Sequence, residues 1–414
     1  MQKKFLVNIF SLLLLQGGQY LLTLISLPYL ARVLSPEGFG LYGLALALVQ
    51  YGIIVTNYGF DLSATKQIAS VCNDKKKVSY IFWNVLASKM ILATIGFVCI
   101  FIFSFLFEKN DIYVMLCSSI QLLGVVIFPI WLFQGKEDLK VITISNLLAR
   151  SSALPLLFIF VKKPDDILVA AIIQSLTVCV AGGIAFFTAI KKRYVVFLKI
   201  NISEIIYQLK DGFGMFLANI AISLYTVSTI VIIGIFSNQV ETGLFNGVDK
   251  IRIAFTSIFV VLTGAIYPRI NSMISNNDIY SFSFIKKNIM IQGVLSAVCS
   301  VLIFVFSKDI IKYGLGEKYG ISVDGLNIVS PTIFLITMSV IFSNYILLPF
   351  GYKKIFVLMP VVTAFLHILI SIPLCHIYGF IGGCLSILIT EIMTNIVLLI
   401  LVAKFGLLSK IIRS

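Results

Sequence analysis

The sequence predicts an all-α polytopic membrane protein with about 12 transmembrane helices and both termini in the cytoplasm. Three observations carry this. Long apolar runs recur along all 414 residues; 59% of residues are hydrophobic and only 12% charged; and lysines and arginines fall mostly on every second loop. A bilayer core of about 30 Å needs roughly 20 apolar residues of helix. A soluble domain would carry about twice this charged fraction. A membrane β-barrel would show alternating strands of about ten residues instead.

The expected spans lie near 8–32, 39–60, 80–107, 112–134, 141–161, 167–190, 213–236, 253–274, 288–306, 326–350, 355–376 and 381–403. The first follows Lys3 and Lys4 and is too long for a signal-peptide core, so it reads as a retained span. With the N-terminus inside, 21 of the 32 basic residues fall on cytoplasmic segments, among them Lys66, Lys75, Lys76, Lys77, Lys191, Lys192, Arg193 and Arg269. Nine fall on the opposite side, including Arg32, Lys250 and Arg252, and two, Lys89 and Arg150, lie inside spans. This is the positive-inside pattern. The net charge of +14 is therefore a topology signal with some attraction to anionic headgroups, not a nucleic-acid footprint.

The seven cysteines are scattered, without a CxxC pair or a neighbouring histidine at ligand spacing, so no disulfide, metal site or cofactor is expected. No phosphate-binding loop and no GxGxxG occurs, so the chain is not expected to hydrolyse ATP itself. No loop is much longer than about twenty residues.

Twelve spans divide into six and six, with residues 1–190 and 213–414 as the halves. The segment 191–212 between them opens with Lys191-Lys192-Arg193, and Ile202, Ile205, Ile206 and Leu209 then follow helical spacing. It reads as an amphipathic cytoplasmic linker in the membrane interface. Gly40-Leu41-Tyr42 and Gly243-Leu244-Phe245 echo each other about half a chain apart. Many transporters are built from such paired halves.

Ionisable groups inside a bilayer are costly and usually face a cavity or a partner. Lys89, Arg150 and Glu391 each lie nine or ten residues into a span, and His367 lies at similar depth. At 1.5 Å per residue that is roughly 14 Å, close to the midplane. Thr143, Asn146 and Arg150 share one helix face; Ser386, Thr390 and Thr394 share another, with Glu391 and Asn395 beside them. Gln16, Tyr20 and Thr23 line the first span, and Asn219, Ser223 and Thr226 the seventh. Such stripes fit either a hydrated interior cavity or interhelical hydrogen bonding that only holds the bundle together. Prolines at 28, 129, 155, 268, 331, 360 and 373 allow kinks within or near the spans.

Particular stretches resemble a known family. They are Leu27-Pro28-Tyr29-Leu30-Ala31-Arg32-Val33-Leu34, Gly38-Phe39-Gly40, Tyr58-Gly59-Phe60 and Leu62-Ser63-Ala64-Thr65. Phe128-Pro129-Ile130-Trp131-Leu132-Phe133-Gln134-Gly135, Tyr267-Pro268-Arg269, and Gly382-Gly383 leading to Glu391 follow in order. Together they resemble Wzx-type O-antigen flippases, the polysaccharide transporters of the multidrug/oligosaccharidyl-lipid/polysaccharide exporter superfamily. The resemblance implies two six-helix lobes around a central cavity. It implies transfer of undecaprenyl-diphosphate-linked oligosaccharide across a Gram-negative inner membrane, for lipopolysaccharide biosynthesis. Membrane lipids, the O-antigen polymerase and the chain-length regulator would be its partners. Arg32, Lys66, Arg269 and Glu391 stand where the family usually has the same or a like charge. In the family an acid precedes the Gly-Phe pair and Asn follows it; here Asn57 and Asp61 are exchanged.

The expected cargo contacts are thus Lys89, Arg150, Arg32, Arg269 and Asp61, with Glu391 and His367 as candidates for ion coupling. Two other functions fit less well. A cation-coupled drug exporter of the same superfamily would favour an acidic, aromatic lining. A membrane glycan polymerase or ligase should carry a large outside loop with catalytic groups. Both histidines, His367 and His376, instead belong to one span.

Overall fold

The computed structural model describes the backbone of residues 2–276 and 278–413 and the side chains of 25–108, 111–276 and 278–411. The expected polar lining at Gln16, Tyr20 and Thr23 lies outside the described side chains. The described residues form helices and connecting turns without a strand. Among the described residues nine helices are long and apolar enough to cross a membrane, or ten if the bent pair Ile202–Thr226 and Ser228–Phe236 counts as one span. The chain clusters into two compact units, Leu14–Ser223 and Leu224–Ser414, with the residues up to Leu13 grouping with the second.

In the first unit α1 runs Gln2–Asn57, α2 Phe60–Ser70 and α3 Lys75–Ser104. The helices α4 Lys109–Ser119, α5 Gln121–Ile127 and α6 Ile130–Gly135 follow, then α7 Leu139–Phe160, α8 Ile167–Lys191 and α9 Ile202–Thr226. The loop expected between the first two spans is instead a break inside α1 at Ser35, with φ 61° and ψ 168°. Ser35 precedes Pro36, whose ring disfavours helical geometry in the residue before it. The fourth span is also not one helix. It divides at Ile120 and again at Phe128-Pro129, because Pro129 lacks the N–H that would continue α5.

The segment expected as an amphipathic linker helix is two different things. Residues 194–201 are a strap without regular secondary structure. The Val196 N–H donates to Ser79 Oγ at 2.9 Å, Trp83 Nε1–H donates to the Val196 carbonyl at 2.9 Å, and the Asn201 N–H donates to Asn84 Oδ1 at 2.8 Å. Side chains of α3 thus satisfy a backbone that has no helical partners of its own. The apolar positions from Ile202 onward are the first turns of α9.

In the second unit α10 runs Ser228–Phe236 and α11 Gln239–Ser275, followed by α12 Ser281–Val305 and α13 Ser307–Gly314. It ends with α14 Ser322–Ile341, α15 Lys353–Lys404 and α16 Leu407–Arg413. A π-helical turn at Phe342–Leu347 extends α14. The last two expected spans are continuous in α15 but break at Gly379, with φ 54° and ψ −131°. Glu241 fixes this break: its carboxylate accepts from the Phe380 N–H at 2.8 Å. The backbone angle favours glycine there, and a Cβ on residue 379, 2.5 Å from Glu241 Oε2, would also push that carboxylate aside.

The helix α11 starts fourteen residues before the expected eighth span. Lys250 and Arg252, read from sequence as loop cations, therefore lie within a helix, and Arg252 is buried.

Candidate functional site

Among the described residues of the first unit, Lys89 lies close to the buried Trp131 and to Asp61. The turn between α1 and α2 places the acid: Tyr58 has φ 53° and Gly59 has φ 113°. A Cβ on Gly59 would meet Met215 Cβ at 2.6 Å and the Gly212 carbonyl oxygen at 2.9 Å. Only glycine lets α2 turn away there against α9. The turn sets Asp61 in the first turn of α2. Lys89, on α3, is 1% exposed. Its Nζ donates to the Val125 carbonyl at 2.6 Å and stands 4.6 Å from the centroid of the buried Trp131 ring. Val125 is four residues before Pro129, so its carbonyl has no helical N–H to accept from. Lys89 supplies the missing donor. Asp61 is the opposite charge that acts on Lys89. Asp61 Oδ1 and Trp131 Nε1 are buried without a hydrogen-bond partner.

The other expected cations behave differently. Arg32, Lys66, Arg150 and Arg269 are all exposed on their helices. Lys89 alone of the expected basic site residues is enclosed. The serines and threonines of the stripes mostly donate to their own helix backbone: Thr143 to Leu139, Ser386 to Gly383, Thr390 to Ser386 and Thr394 to Thr390. Such back-bonding satisfies the hydroxyl hydrogen and leaves the oxygen able to accept.

In the second unit His367 is fully buried between two threonines. Its Nε2 lies 2.8 Å from Thr229 Oγ1 and its Nδ1 3.0 Å from Thr390 Oγ1. Thr390 has already committed its hydroxyl hydrogen to Ser386. It must therefore accept from His367, which assigns the proton to Nδ1 and leaves Nε2 to accept from Thr229. Glu391, the next residue after Thr390, is 3% exposed, and no cation pairs with its carboxylate among the described residues.

Sequence reasoning missed the pair Asp249 and Arg252, one turn apart on α11. Asp249 Oδ1 accepts from Arg252 Nε at 2.9 Å and from Nη2 at 2.6 Å. The pair lines a cavity of about 320 Å³ together with Tyr225, Thr229, Thr256 and Ser257. An acid and a base at i, i+3 just ahead of an apolar run was the available signal.

A bundle of long apolar helices that keeps ionisable side chains inside its spans is the architecture of a multi-pass membrane protein. The chain is similar in fold to the solved structure of lipid II flippase MurJ in an inward closed conformation, with TM-score 0.77 over 94% of this chain and 87% of that one. It is also similar to an inward-facing MATE family multidrug transporter of the MOP superfamily, with TM-score 0.70 over 95% and 99%. Identities of 14% and 15% make these likenesses of fold. The chain belongs to the polysaccharide biosynthesis protein family, whose model matches residues 5–274. It is 35% identical to a "Putative O-antigen transporter" of Escherichia coli (strain K12) over 97% of both chains. It is 31% identical to a protein of the same name from Shigella dysenteriae over 93% of this chain and 97% of that one. Over nearly its whole length the chain is similar to proteins named as transporters.

Proposed function

We propose that the protein is a flippase. It moves undecaprenyl-diphosphate-linked oligosaccharide units of O-antigen from the cytoplasmic to the periplasmic leaflet of a Gram-negative inner membrane by alternating access. The observation that carries this reading is the end-to-end match to a named O-antigen transporter, 97% of each chain. The fold shared with a lipid II flippase supports a lipid-linked cargo.

The physical chemistry is consistent. A diphosphate with attached sugars cannot cross hydrocarbon without replacing its hydration, and unpaired polar groups cost several kcal/mol each there. The exposed arginines Arg32, Arg150 and Arg269 would offer fork-shaped donors to phosphate oxygens. Lys89 is enclosed, so with Asp61 it would hold the α2–α3–α6 junction in shape for the cargo. Glu391 would couple transport to an ion gradient, since its carboxylate lies deep in the unit with no cation on it. His367 has both ring nitrogens occupied and would hold α10 against α15 beside it.

The test in cells is deletion followed by leaflet analysis. Undecaprenyl-diphosphate-linked units should accumulate and remain on the cytoplasmic side, and the intact gene should restore their export. Normal surface glycan in the deletion strain, with no other flippase gene present, would contradict the proposal.

A further inference from the structure

We propose that the cavity lined mainly by α11, with Tyr225 of α9, Thr229 of α10, Ile336 of α14 and Ile387 of α15 around it, is a subsite for one uncharged sugar ring of the transported glycan. The proposal rests on the flippase reading above. Its volume of about 320 Å³ is at the small end of the range for small-molecule sites, roughly 300–1,000 Å³, which fits a single ring and not a whole oligosaccharide.

The lining has the chemistry of a polyol site. Asp249 and Arg252 neutralise each other, so the wall carries both donors and acceptors without net charge. That favours a neutral sugar over a diphosphate, which would need unpaired cations. The guanidinium has five N–H donors, of which Nε and Nη2 each use one on Asp249. Thr256 and Ser257 give their hydroxyl hydrogens to the Arg252 and Ala254 carbonyls, so their oxygens remain acceptors. The Tyr225 hydroxyl is buried and has no hydrogen-bond partner among the described residues. A buried hydroxyl without a partner is costly, and a ligand hydroxyl would complete it. The ring of Phe245 and the aliphatic Ile253, Val260, Ile336 and Ile387 form the apolar part of the lining, a surface for the C–H face of a pyranose.

The full-length protein in detergent is titrated with undecaprenyl diphosphate and with the same lipid bearing one N-acetylhexosamine. Tyr225→Phe removes only the unpartnered hydroxyl, and Ile253→Phe fills the cavity. Tyr225→Phe should weaken binding of the glycosylated lipid about 3- to 10-fold. Ile253→Phe should weaken it at least as much, and neither should change affinity for the bare lipid. Equal weakening toward both lipids, or no effect of either variant, would overturn the sugar subsite. A wild-type protein that binds neither lipid would overturn the flippase reading itself.

Discussion

Lys89 supplies the hydrogen bond that Pro129 withholds. The proline leaves the Val125 carbonyl without a helical donor, and the lysine ammonium, from a helix 36 residues earlier, takes its place at 2.6 Å. The same ammonium faces Trp131 and the charge of Asp61. One buried lysine therefore repairs a helix break and meets an aromatic face.

This predicts a strong interaction between the two positions. Lys89→Met should destabilise the purified protein by about 1–3 kcal/mol, because it leaves the buried Val125 carbonyl without a donor. Pro129→Ala restores a helical N–H to Val125. In the double variant the loss should be smaller by about 1 kcal/mol or more than the sum of the single losses. Denaturant unfolding in detergent measures this, and strictly additive effects would refute the link.

The turn at Gly59 gives a second expectation. Gly59→Ala must accept φ 113° and a Cβ at 2.6 Å from Met215 Cβ, so it should cost more than about 2 kcal/mol. Gly183, in the middle of α8, has nothing within 4 Å of an added Cβ. Gly183→Ala should be neutral or stabilise by up to about 1 kcal/mol. Membrane levels and unfolding midpoints of the two variants should diverge accordingly.

Much of the fold was legible in the sequence because bilayer thickness imposes span length, and loops carry the charge that orients them. The corrections share a physical cause. Hydropathy windows do not see single-residue backbone breaks, so Ser35 and Gly379 read as loops between helices. A window also ends a span at its first charges, and so Asp249 and Arg252, which neutralise each other, were placed outside the helix that carries them. The helix break at Pro129 was readable from one residue. Its partner Lys89 was not, because that contact is tertiary. The strap 194–201 was hidden for the same reason: its hydrogen bonds come from Ser79, Trp83 and Asn84.

His367 should act through its two hydroxyl partners. His367→Phe leaves the Thr229 hydroxyl unpaired and should cost about 1–3 kcal/mol. The nitrogen-15 shifts of the ring in labelled protein should report the neutral form with hydrogen on Nδ1. A proton on Nε2 would contradict the assignment.

At the start of the strap, Asp138 accepts from both Lys192 and the Tyr194 hydroxyl. The Asp138 hydrogen bond raises the Lys192 pKa, while burial and then Asp138 raise that of Tyr194. A lysine raised in the folded state contributes stability that is complete below its unfolded pKa and is lost as pH rises through the folded value. Asp138→Asn should therefore cost up to about 1 kcal/mol, constant between pH 7 and 9 and shrinking only in more alkaline solution. Unfolding midpoints of both proteins across that range check the sign.

The exposed arginines should separate transport from folding. Arg150→Ala or Arg32→Ala should leave membrane level and unfolding midpoint within about 0.5 kcal/mol of wild type, as exposed substitutions usually do. Each should lower surface glycan. Full glycan display by both would remove them from the cargo path.

The central claim is translocation of a lipid-linked glycan, and reconstitution tests it most directly. Purified protein in vesicles is given undecaprenyl diphosphate bearing a fluorescent saccharide, and a membrane-impermeant quencher is added outside. With protein present, quenching should proceed beyond the outer-leaflet half toward completion, and vesicles without it should stop near half. If protein-containing vesicles also stop near half, under every ion gradient applied, the chain does not flip this cargo.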